Sequence, residues 1–269
     1  MICALVLYAS RVERRLDTLS WSGRRETSPV RAFESVSTWK QPVPDKASVE
    51  RQSLLDLLAR RIVTLKPSRI RVAIDGYTAS GKTTFGHELA AAVRAAGRPT
   101  LRASLDDFKR PWRDAIDKGY DRVSGDGYYR NAPDFESARE LLLRPAGADG
   151  SGSVVLCAHD PLTGKDHRGV VVDAPIDAVL IVDSVFAMRP EYIKFWDFTI
   201  WLDVNADLSL ERGVRRDASM EGSDSAERLH RDRYRVAEEI YVAEVDPMPL
   251  VDVVVDNTRF SHPRIMPLE

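Results

Sequence analysis

Short apolar runs alternate along the chain with longer segments whose apolar residues recur at helical spacing. The apolar runs predict strands at residues 69–75, 99–105, 153–158, 178–183, 198–204 and 251–255, with a further short strand at residues 170–172. Helical spacing predicts helices at residues 45–65, 83–96 and 133–143, and two Arg-rich helical stretches follow residue 204. Residues 109–132 are polar, aromatic and glycine-containing, which is typical of a long active-site loop.

The order of these elements predicts the fold class. Strands that alternate with helices form a parallel sheet with helices on both faces. The apolar residues 179–182 suit a strand that is buried on both sides. We therefore expect an α/β protein with a three-layer, doubly wound, mainly parallel sheet. Residues 46–269 are expected to form one domain with a helical lid at about residues 207–235, after a poorly organised N-terminal extension at residues 1–45.

The sequence IDGYTASGKTTF at residues 74–85 contains the phosphate-binding pattern G-x-x-x-x-G-K-[ST]. Gly76 and Gly81 permit backbone angles that place successive N–H groups around one anion. Lys82 adds a mobile positive charge, and the Thr83 hydroxyl can coordinate Mg²⁺. A plain Gly/Ser turn is the alternative, but a strand before the loop and a helix after it favour phosphate binding. The residues expected to hold the phosphates are Gly76, Thr78, Ala79, Ser80, Gly81, Lys82, Thr83 and Thr84.

Carboxylates end several predicted strands, and ligands bind at the carboxyl ends of strands in such sheets. These carboxylates are Asp75, Asp106, Asp107 and Asp183. Asp183 follows four apolar residues, which is typical of the Walker B carboxylate that handles Mg²⁺ beside a phosphate loop. It could instead cap the next turn. Asp75 is the weaker metal candidate, and it could orient a metal-bound water.

Asp106 is the candidate general base. Phosphoryl transfer to a hydroxyl needs a carboxylate that orients this hydroxyl and takes its proton. Asp106 closes the predicted strand at residues 99–105, near the phosphate loop. Asp107 could take this role instead or cap the following segment, and a role for neither stays open.

Arg212, Arg215 and Arg216 lie at i, i+3 and i+4 on one face of a predicted helix. More arginines follow at positions 228, 231, 233 and 235. Such a run is usually a solvated face with acidic partners. Beside a nucleotide site, however, arginines on a mobile lid can neutralise the charge that develops on a transferred phosphoryl group and exclude water. Arg212 and Arg216, together with Lys82, are therefore catalytic candidates.

Aromatic and histidine side chains near the predicted strand ends have two interpretations each. His159 ends the strand at residues 153–158, where it could touch a substrate or be satisfied by local hydrogen bonds. Tyr128 and Tyr129 could line an acceptor pocket or pack inside the protein.

Composition and charge argue against several other classes. The 269 residues carry a net charge of −2 and a pI of about 6.3, which requires neither a nucleic-acid nor a membrane partner. Acids interleaved with the arginines after residue 216 argue against a basic nucleic-acid face. The chain has no Asn-Lys-x-Asp stretch for guanine recognition, which disfavours a GTP-dependent switch.

The cysteines and the N-terminal residues bear on the compartment. Cys3 and Cys157 do not indicate a disulfide framework, and Cys157 lies in an apolar run where a buried thiol is expected. The apolar residues 1–8 are too few to cross a bilayer, and the arginines follow them rather than precede them. We therefore expect a cytoplasmic protein.

Taken in order, several stretches resemble the uridine kinase-like branch of the P-loop kinases, near phosphoribulokinase and pantothenate kinase. They are DGYTASGKTT, SLDDF, VLIVDSVFAM, RGVRRDASMEG and VDVVVDNT, and the resemblance covers about residues 68–260. It implies a P-loop kinase fold that uses ATP and Mg²⁺ through Lys82 and Thr83. It also implies that Asp106 is the base for the acceptor hydroxyl.

The resemblance assigns further positions. Asp183 stands at the Walker B position, although many members have Glu-Gly where this chain has Asp183-Ser184. Asn257 is expected near the adenine. The lid arginines of the family correspond to Arg212, Arg215 and Arg216, and Arg215 is expected at the nucleotide.

The acceptor side departs from the family pattern. An Asp holds the ribose hydroxyls in nucleoside kinases of this type, and the comparable position here is Asn131. The base-recognising His and Tyr have no clear counterpart in residues 159–164. The candidate substrate-binding residues are Asp107, Tyr129, Asn131 and His159.

The expected activity is that of an ATP-dependent small-molecule kinase, uridine or cytidine kinase-like. The alternatives are a kinase of pantothenate, glycerate or a sugar phosphate, and a nucleotide-binding regulatory module without phosphotransfer. The sequence does not identify the acceptor, and it is compatible with a homo-oligomer.

Overall fold

The computed structural model describes residues 30–40 and 47–267. In chain order, the strands are β1 (Ala32–Phe33), β2 (Ile70–Asp75), β3 (Thr100–Ser104), β4 (Ser153–Val155), β5 (Val171–Asp173), β6 (Val179–Asp183), β7 (Phe198–Asp203), β8 (Val253–Asp256) and β9 (Arg264–Met266). The α-helices are α1 (Val49–Val63), α2 (Lys82–Ala95), α3 (Trp112–Lys118), α4 (Gly125–Asn131), α5 (Phe135–Ala138), α6 (Ala206–Glu221), α7 (Ser223–Arg228) and α8 (Val236–Val245). Tight 3₁₀ turns occur at Leu105–Phe108, Ile193–Phe195 and Met248–Leu250, and π-helical segments occur at Arg139–Leu143 and Leu229–Arg235.

The central sheet of the described residues has seven strands in the order β1-β3-β6-β2-β7-β8-β9. Neighbouring strands are parallel, except that β9 runs antiparallel to β8. Asp183 at the end of β6 is in register with Ile74 of β2 on one side and with Ser104 of β3 on the other. The carboxyl ends of these three strands therefore meet at one edge, where the candidate catalytic residues follow them.

Helices cover both faces of this sheet. Successive residues of β6 point to opposite faces. Val179 and Ile181 pack into the apolar cluster with α1 and α2, whereas Leu180 and Val182 pack into the cluster on the other face. The structure thus confirms the predicted three-layer, doubly wound α/β fold with a mainly parallel sheet. No helix of the described residues is long and apolar enough to cross a membrane.

Some predicted elements differ from the structure. Of the strand predicted at residues 153–158, only β4 forms. It pairs with β5 in a separate two-stranded antiparallel sheet and not with the central sheet. Residues 109–132 are not one loop but contain α3 and α4. The Ser124 hydroxyl caps α4 by accepting from the Gly127 N–H at 3.0 Å. The last predicted strand, β8, is followed by the edge strand β9.

Residues 30–40 are part of the fold, which corrects the prediction of a poorly organised extension for this segment. β1 pairs with β3 at the sheet edge. The N–H and hydroxyl of Thr38 donate to Asp160 at 2.6 and 2.9 Å. Residues 1–29 and 41–46, and with them Cys3, lie outside the described part of the chain. Cys157 is buried, as predicted.

Candidate active site

The loop after β2 has the backbone that its glycines make accessible. Gly76 and Gly81 have φ values of 143° and 95°, and Ala79 between them has 60°. A Cβ at Gly76 would lie 2.6 Å from the Leu202 carbonyl oxygen, so only glycine fits there. Gly81 is the N-cap of α2 and has no side-chain cap. The first N–H groups of α2 thus lack a side-chain acceptor at Gly81, as expected of an anion-binding loop.

Lys82 lies across this loop. Its Nζ donates to the carbonyl oxygens of Gly76 and Tyr77 at 2.9 and 2.7 Å. Burial lowers the pKa of Lys82, and the nearby Glu238 carboxylate acts in the opposite direction. Glu238 also accepts from the Thr78 N–H at 2.5 Å. The ammonium group is therefore held at the phosphate loop by two carbonyls.

Thr83 and Asp183 lie together, as the sequence predicted. The Thr83 hydroxyl donates to Oδ2 of Asp183 at 2.9 Å. The other carboxylate oxygen, Oδ1, accepts from Arg102 at 2.6 Å. A hydroxyl and a carboxylate oxygen are hard ligands that suit Mg²⁺. Among the described residues, no group of three or more His, Cys, Asp or Glu side chains could form a metal site by itself.

Asp75 has a supporting role, which differs from the weaker metal role considered above. Its carboxylate is buried below the loop and accepts from the Tyr241 hydroxyl at 2.6 Å and from the Gly76 N–H at 2.8 Å. Burial raises the pKa of Asp75 to about 6. It does not line the cleft described below, so it stabilises the start of the loop rather than contacting a ligand.

A cleft of about 1180 Å³ lies over the carboxyl edge of the sheet. Predicted residues that line it are Thr78, Ala79, Gly81, Lys82, Thr83, Thr84, Asp106, Tyr128, His159, Asp183, Arg212 and Arg216. Gly76 and Ser80 shape the loop from below. The Ser80 side chain is buried and lies 3.0 Å from the position that a Cβ of Gly76 would take.

Asp106 faces this cleft and is paired with Lys109. The Lys109 Nζ lies 2.8 Å from Oδ1 of Asp106, whose side chain is 37% exposed. Partial burial raises the pKa of Asp106 and the Lys109 charge lowers it, with a net direction downward. Asp106 is therefore an ionised carboxylate in a fixed position, able to accept a hydrogen bond from a hydroxyl.

Asp107 is not a cleft residue, in contrast to its predicted place as alternative base and substrate contact. Its buried side chain accepts from the Ser35 hydroxyl at 3.0 Å. Its carbonyl oxygen accepts from the N–H groups of Ala158 and His159 at 3.1 and 3.0 Å. Burial raises the pKa of Asp107 to about 7. Asp107 therefore joins the end of β3 to the segment that contains Ser35 and to the segment that contains Ala158 and His159.

Two of the predicted lid arginines reach the cleft and one does not. Arg216 donates through Nε and Nη2 to both carboxylate oxygens of Asp217 at 2.6 and 2.9 Å. Arg212 donates to the Thr258 carbonyl oxygen at 2.7 Å. Arg215, the predicted nucleotide contact, is 74% exposed and paired with Glu211. A one-residue step along α6 turns a side chain by 100°, which removes Arg215 from the cleft.

Asn257 braces the phosphate loop from behind. Its Nδ2 donates to the Ser80 carbonyl oxygen at 2.8 Å, and its Oδ1 accepts from Arg51 at 2.9 Å. The buried amide thus binds protein atoms at both ends and does not line the cleft, and its place beside an adenine stays a prediction.

The predicted acceptor contacts are distributed differently from the expectation. Tyr129 is buried, with its ring centroid 4.1 Å from Cζ of Arg189, and packs inside the protein. Asn131 donates to the Asp121 carbonyl oxygen at 2.7 Å and does not line the cleft. His159 does line it, and its Nδ1 is buried without a hydrogen-bond partner in the described structure. Burial lowers the pKa of His159.

Several cleft residues were not predicted from the sequence. They are Trp39, Lys109, Arg110, Trp112, Arg122, Arg233 and Tyr234. Most come from residues 109–132. The polar and aromatic composition of this segment predicted an active-site loop, but it did not identify which of its residues line the cleft. Arg102 was also missed, because it lies within a predicted strand rather than at its end.

No family model matches the chain, and no curated protein matches it either. Three solved structures share its fold. A possible uridine kinase from Bacillus stearothermophilus is 24% identical, with a TM-score of 0.58 over 77% of this chain and 99% of that one. A proposed fructose transport system kinase from a Silicibacter species is 23% identical, with a TM-score of 0.60 over 72% and 94%. The D-glycerate 3-kinase of Cryptococcus neoformans is 10% identical, with a TM-score of 0.53 over 80% and 99%.

The chain therefore has the α/β fold of the P-loop kinases. The similarity spans nearly the whole length of each of these three proteins. At these identities the comparison concerns the fold.

Proposed function

We propose that this protein is an ATP-dependent kinase that transfers the γ-phosphoryl group to a hydroxyl of a small molecule. The observation that carries the proposal is that Lys82, Thr83, Asp183 and Asp106 all line one cleft. These side chains supply the parts that phosphoryl transfer requires: a phosphate cradle, metal ligands and a carboxylate for the acceptor hydroxyl. The resemblance of the sequence and the fold shared with three kinases support the same activity.

The residues present fit ATP and Mg²⁺. The backbone angles at Gly76 and Gly81 let successive N–H groups surround one anion, and Gly81 leaves the start of α2 without a side-chain cap. The paired oxygens of Thr83 and Asp183 would hold the metal, and Lys82 would reach the outer phosphates. When bound, Mg²⁺ neutralises charge on the phosphate oxygens.

The chain's own residues would perform the remaining chemistry. Asp106 orients the acceptor hydroxyl and takes its proton as the oxygen forms a bond to the γ-phosphorus and the bond from that phosphorus to the leaving ADP oxygen breaks. Lys109 keeps Asp106 ionised and in position. Arg212 and Arg216 lie where they can stabilise the charge on the transferred group and exclude water when the lid closes.

Two acceptor classes follow from the sequence. The resemblance favours uridine or cytidine, whereas pantothenate, glycerate and sugar phosphates are the non-nucleoside alternatives. Tyr129 and Asn131, two of the residues expected to contact a nucleoside, do not line the cleft. A nucleotide-binding regulatory module without phosphotransfer is the alternative outside enzyme function. We propose that the enzyme is cytoplasmic and has no nucleic-acid or membrane partner. This proposal is compatible with a homo-oligomer.

The test is ADP release from Mg-ATP with a panel of acceptors from both classes. Asp106→Asn is compared with Asp126→Asn, which alters an exposed carboxylate paired with Arg130. We expect one acceptor class to raise turnover, Asp106→Asn to lower it by at least 100-fold, on the order of a general base, and Asp126→Asn to leave it unchanged. Equal ATP hydrolysis by all three proteins with every acceptor would favour the regulatory module.

A further inference from the structure

Two arginines from different elements meet around one tryptophan in the cleft. Arg122 precedes α4, and Arg233 lies in the π-helical segment before α8. Their Cζ atoms lie 4.4 and 5.0 Å from the ring centroid of Trp112, the first residue of α3. All three side chains line the cleft. We call Arg122 and Arg233 the arginine pair.

No carboxylate of the described residues pairs directly with either guanidinium of the arginine pair, and Nε of each is buried without a hydrogen-bond partner. Arg122 is only 5% exposed, and it donates one hydrogen bond, to the Arg110 carbonyl oxygen. Burial lowers the pKa of Arg122, and the neighbouring charge of Arg233 lowers it further.

Acidic side chains of the same segment are engaged elsewhere. Asp114 pairs with Lys118 at 3.0 Å. Asp121 accepts from the hydroxyl of Ser124 and from the Val123 N–H. A buried cation beside a half-buried one, with no carboxylate paired to either, is unfavourable, so this arrangement favours an anion that comes from outside the chain.

The arginine pair is linked to the proposed catalytic base through Tyr128. Lys109 donates to the Tyr128 hydroxyl at 2.6 Å and is paired with Asp106 at 2.8 Å. Cζ of Arg233 lies 4.6 Å from the ring centroid of the same tyrosine. One small molecule in the cleft could therefore present a hydroxyl to Asp106 and an anionic group to the arginine pair.

We propose that the arginine pair binds the oxyanion of the acceptor, so that the substrate is a hydroxylated small molecule that carries a phosphate or carboxylate group. This inference rests on the proposed kinase function. Guanidinium groups present paired donors that match both oxyanions, and stacking on Trp112 fixes their planes in advance. A neutral nucleoside would leave both guanidinium groups without an anionic partner and is disfavoured as the acceptor.

The kinetic test compares acceptors that differ in one charged group. Glycerol is compared with glycerol 3-phosphate and glycerate, and fructose with fructose 6-phosphate, with uridine as the neutral nucleoside. We expect turnover with an anionic acceptor only. Arg122→Met and Arg233→Met should each raise its KM roughly ten- to a hundredfold, since each removes a charge-assisted contact. The KM for ATP should stay within about twofold, which also reports folding.

The matched control is Arg231→Met. Arg231 lies two residues before Arg233 but is 56% exposed and pairs with Glu227 at 2.9 Å, away from the cleft. Arg231→Met should leave the KM for the anionic acceptor and the KM for ATP unchanged. Turnover of uridine or a neutral sugar with a KM that neither cleft variant alters would overturn the proposal.

A binding test does not depend on turnover. The parent protein is saturated with Mg²⁺ and a non-hydrolysable ATP analogue, so that the phosphate loop is filled, and is then titrated with glycerol 3-phosphate, glycerate and glycerol by calorimetry. We expect at least one anionic probe to bind and glycerol not to bind. Affinity should be lost in Arg122→Met and Arg233→Met and kept in Arg231→Met. If neither anionic probe binds, the proposal is wrong.

The two tests together separate the two proposals. Binding of an anion through the arginine pair without phosphorylation of any acceptor would contradict the kinase function and retain the anion site. Phosphorylation of neutral acceptors only would retain the kinase and reject the anion site. A preference between glycerol 3-phosphate and glycerate identifies which oxyanion the pair recognises.

Discussion

Arg102 on β3 donates to Asp183 on the adjacent strand β6 over 2.6 Å, and both side chains are almost fully buried, at 3% and 5% exposure. The same guanidinium donates to the Ile181 carbonyl oxygen at 2.6 Å. Asp183 thus has one carboxylate oxygen fixed by Arg102, while the other faces Thr83. The ion pair positions the proposed Walker B carboxylate without using the oxygen that would contact a metal.

Removing this arginine should destabilise the protein strongly. Arg102→Met leaves the Asp183 charge buried without its partner, and we expect a loss of about 3 kcal/mol or more in the free energy of unfolding. Urea denaturation measures this loss. Arg139→Met, which removes a half-exposed arginine paired with Glu136 and Glu140, should change stability by only about 0.5 kcal/mol. If both variants show an equally small loss in the free energy of unfolding, Arg102 does not position Asp183.

Gly86 on α2 makes the space for this guanidinium. A Cβ there would lie 2.7 Å from Cζ and Nη2 of Arg102, which cannot move away because it is held by Asp183 and Ile181. Gly86→Ala should therefore destabilise the protein by about 1–2 kcal/mol, despite the higher helix propensity of alanine. Thermal or urea unfolding measures the effect.

The control for this substitution is Gly169→Ala, because a Cβ at Gly169 meets no atom within 4 Å. It should be nearly neutral. In an Arg102→Met background, Gly86→Ala should lose its cost, since the fixed guanidinium is then absent. A cost that persists there would contradict the steric explanation.

Asp107 should make stability fall as the pH rises from about 4 to 7. Burial raises its pKa from 3.8 to about 7, so the folded protein binds a proton in this range that the unfolded chain has released. The folded state is thus favoured at low pH and loses this advantage as the proton leaves, by roughly 2–4 kcal/mol.

Comparison with Asp107→Asn measures this contribution. The parent should lose stability relative to Asp107→Asn between about pH 4 and pH 7 in denaturant titrations. Asp106→Asn should not show this difference, because the pKa of Asp106 is lowered and its titration lies below this range. A parallel pH dependence of the parent and Asp107→Asn would rule out the assignment.

Lys109 should set the acid limb of the activity profile. Its ion pair lowers the pKa of Asp106, and the proposed reaction needs Asp106 ionised. In Lys109→Met we expect the acid limb of the kcat profile to move to higher pH and kcat to fall roughly tenfold. Lys118→Met, which alters an exposed lysine paired with Asp114, should keep the parent profile. If the acid limb does not move in Lys109→Met, Lys109 does not set the pKa of the proposed base.

The fold and the backbone of the loop at residues 76–83 could be predicted because their determinants are local in sequence. The alternation of apolar runs with helical spacing is enough to indicate a doubly wound sheet. Gly76, Gly81, Lys82 and Thr83 act through one continuous backbone segment, so their spacing alone specifies the loop. Asp106 and Asp183 follow strand ends, and parallel strands bring such ends to one edge.

The remaining contacts depend on how distant segments meet, which local patterns do not encode. Asp107 follows Asp106 directly, yet its side chain is buried against Ser35 because adjacent residues point in different directions. Arg215 and Arg216 are separated in the same way by the turn of α6. Asn257 reaches the loop from the end of β8.

The sequence by itself determined that this chain is an α/β protein with a glycine-containing loop of the phosphate-binding pattern and two carboxylates at the same sheet edge, because each of those features lies in a continuous segment. Only the tertiary structure decided what surrounds them. The Arg102–Asp183 ion pair requires the register between β3 and β6. The arginine pair requires the segments around residues 112, 122 and 233 to converge. Side-chain packing sets both, since it selects one of many arrangements compatible with the same local patterns.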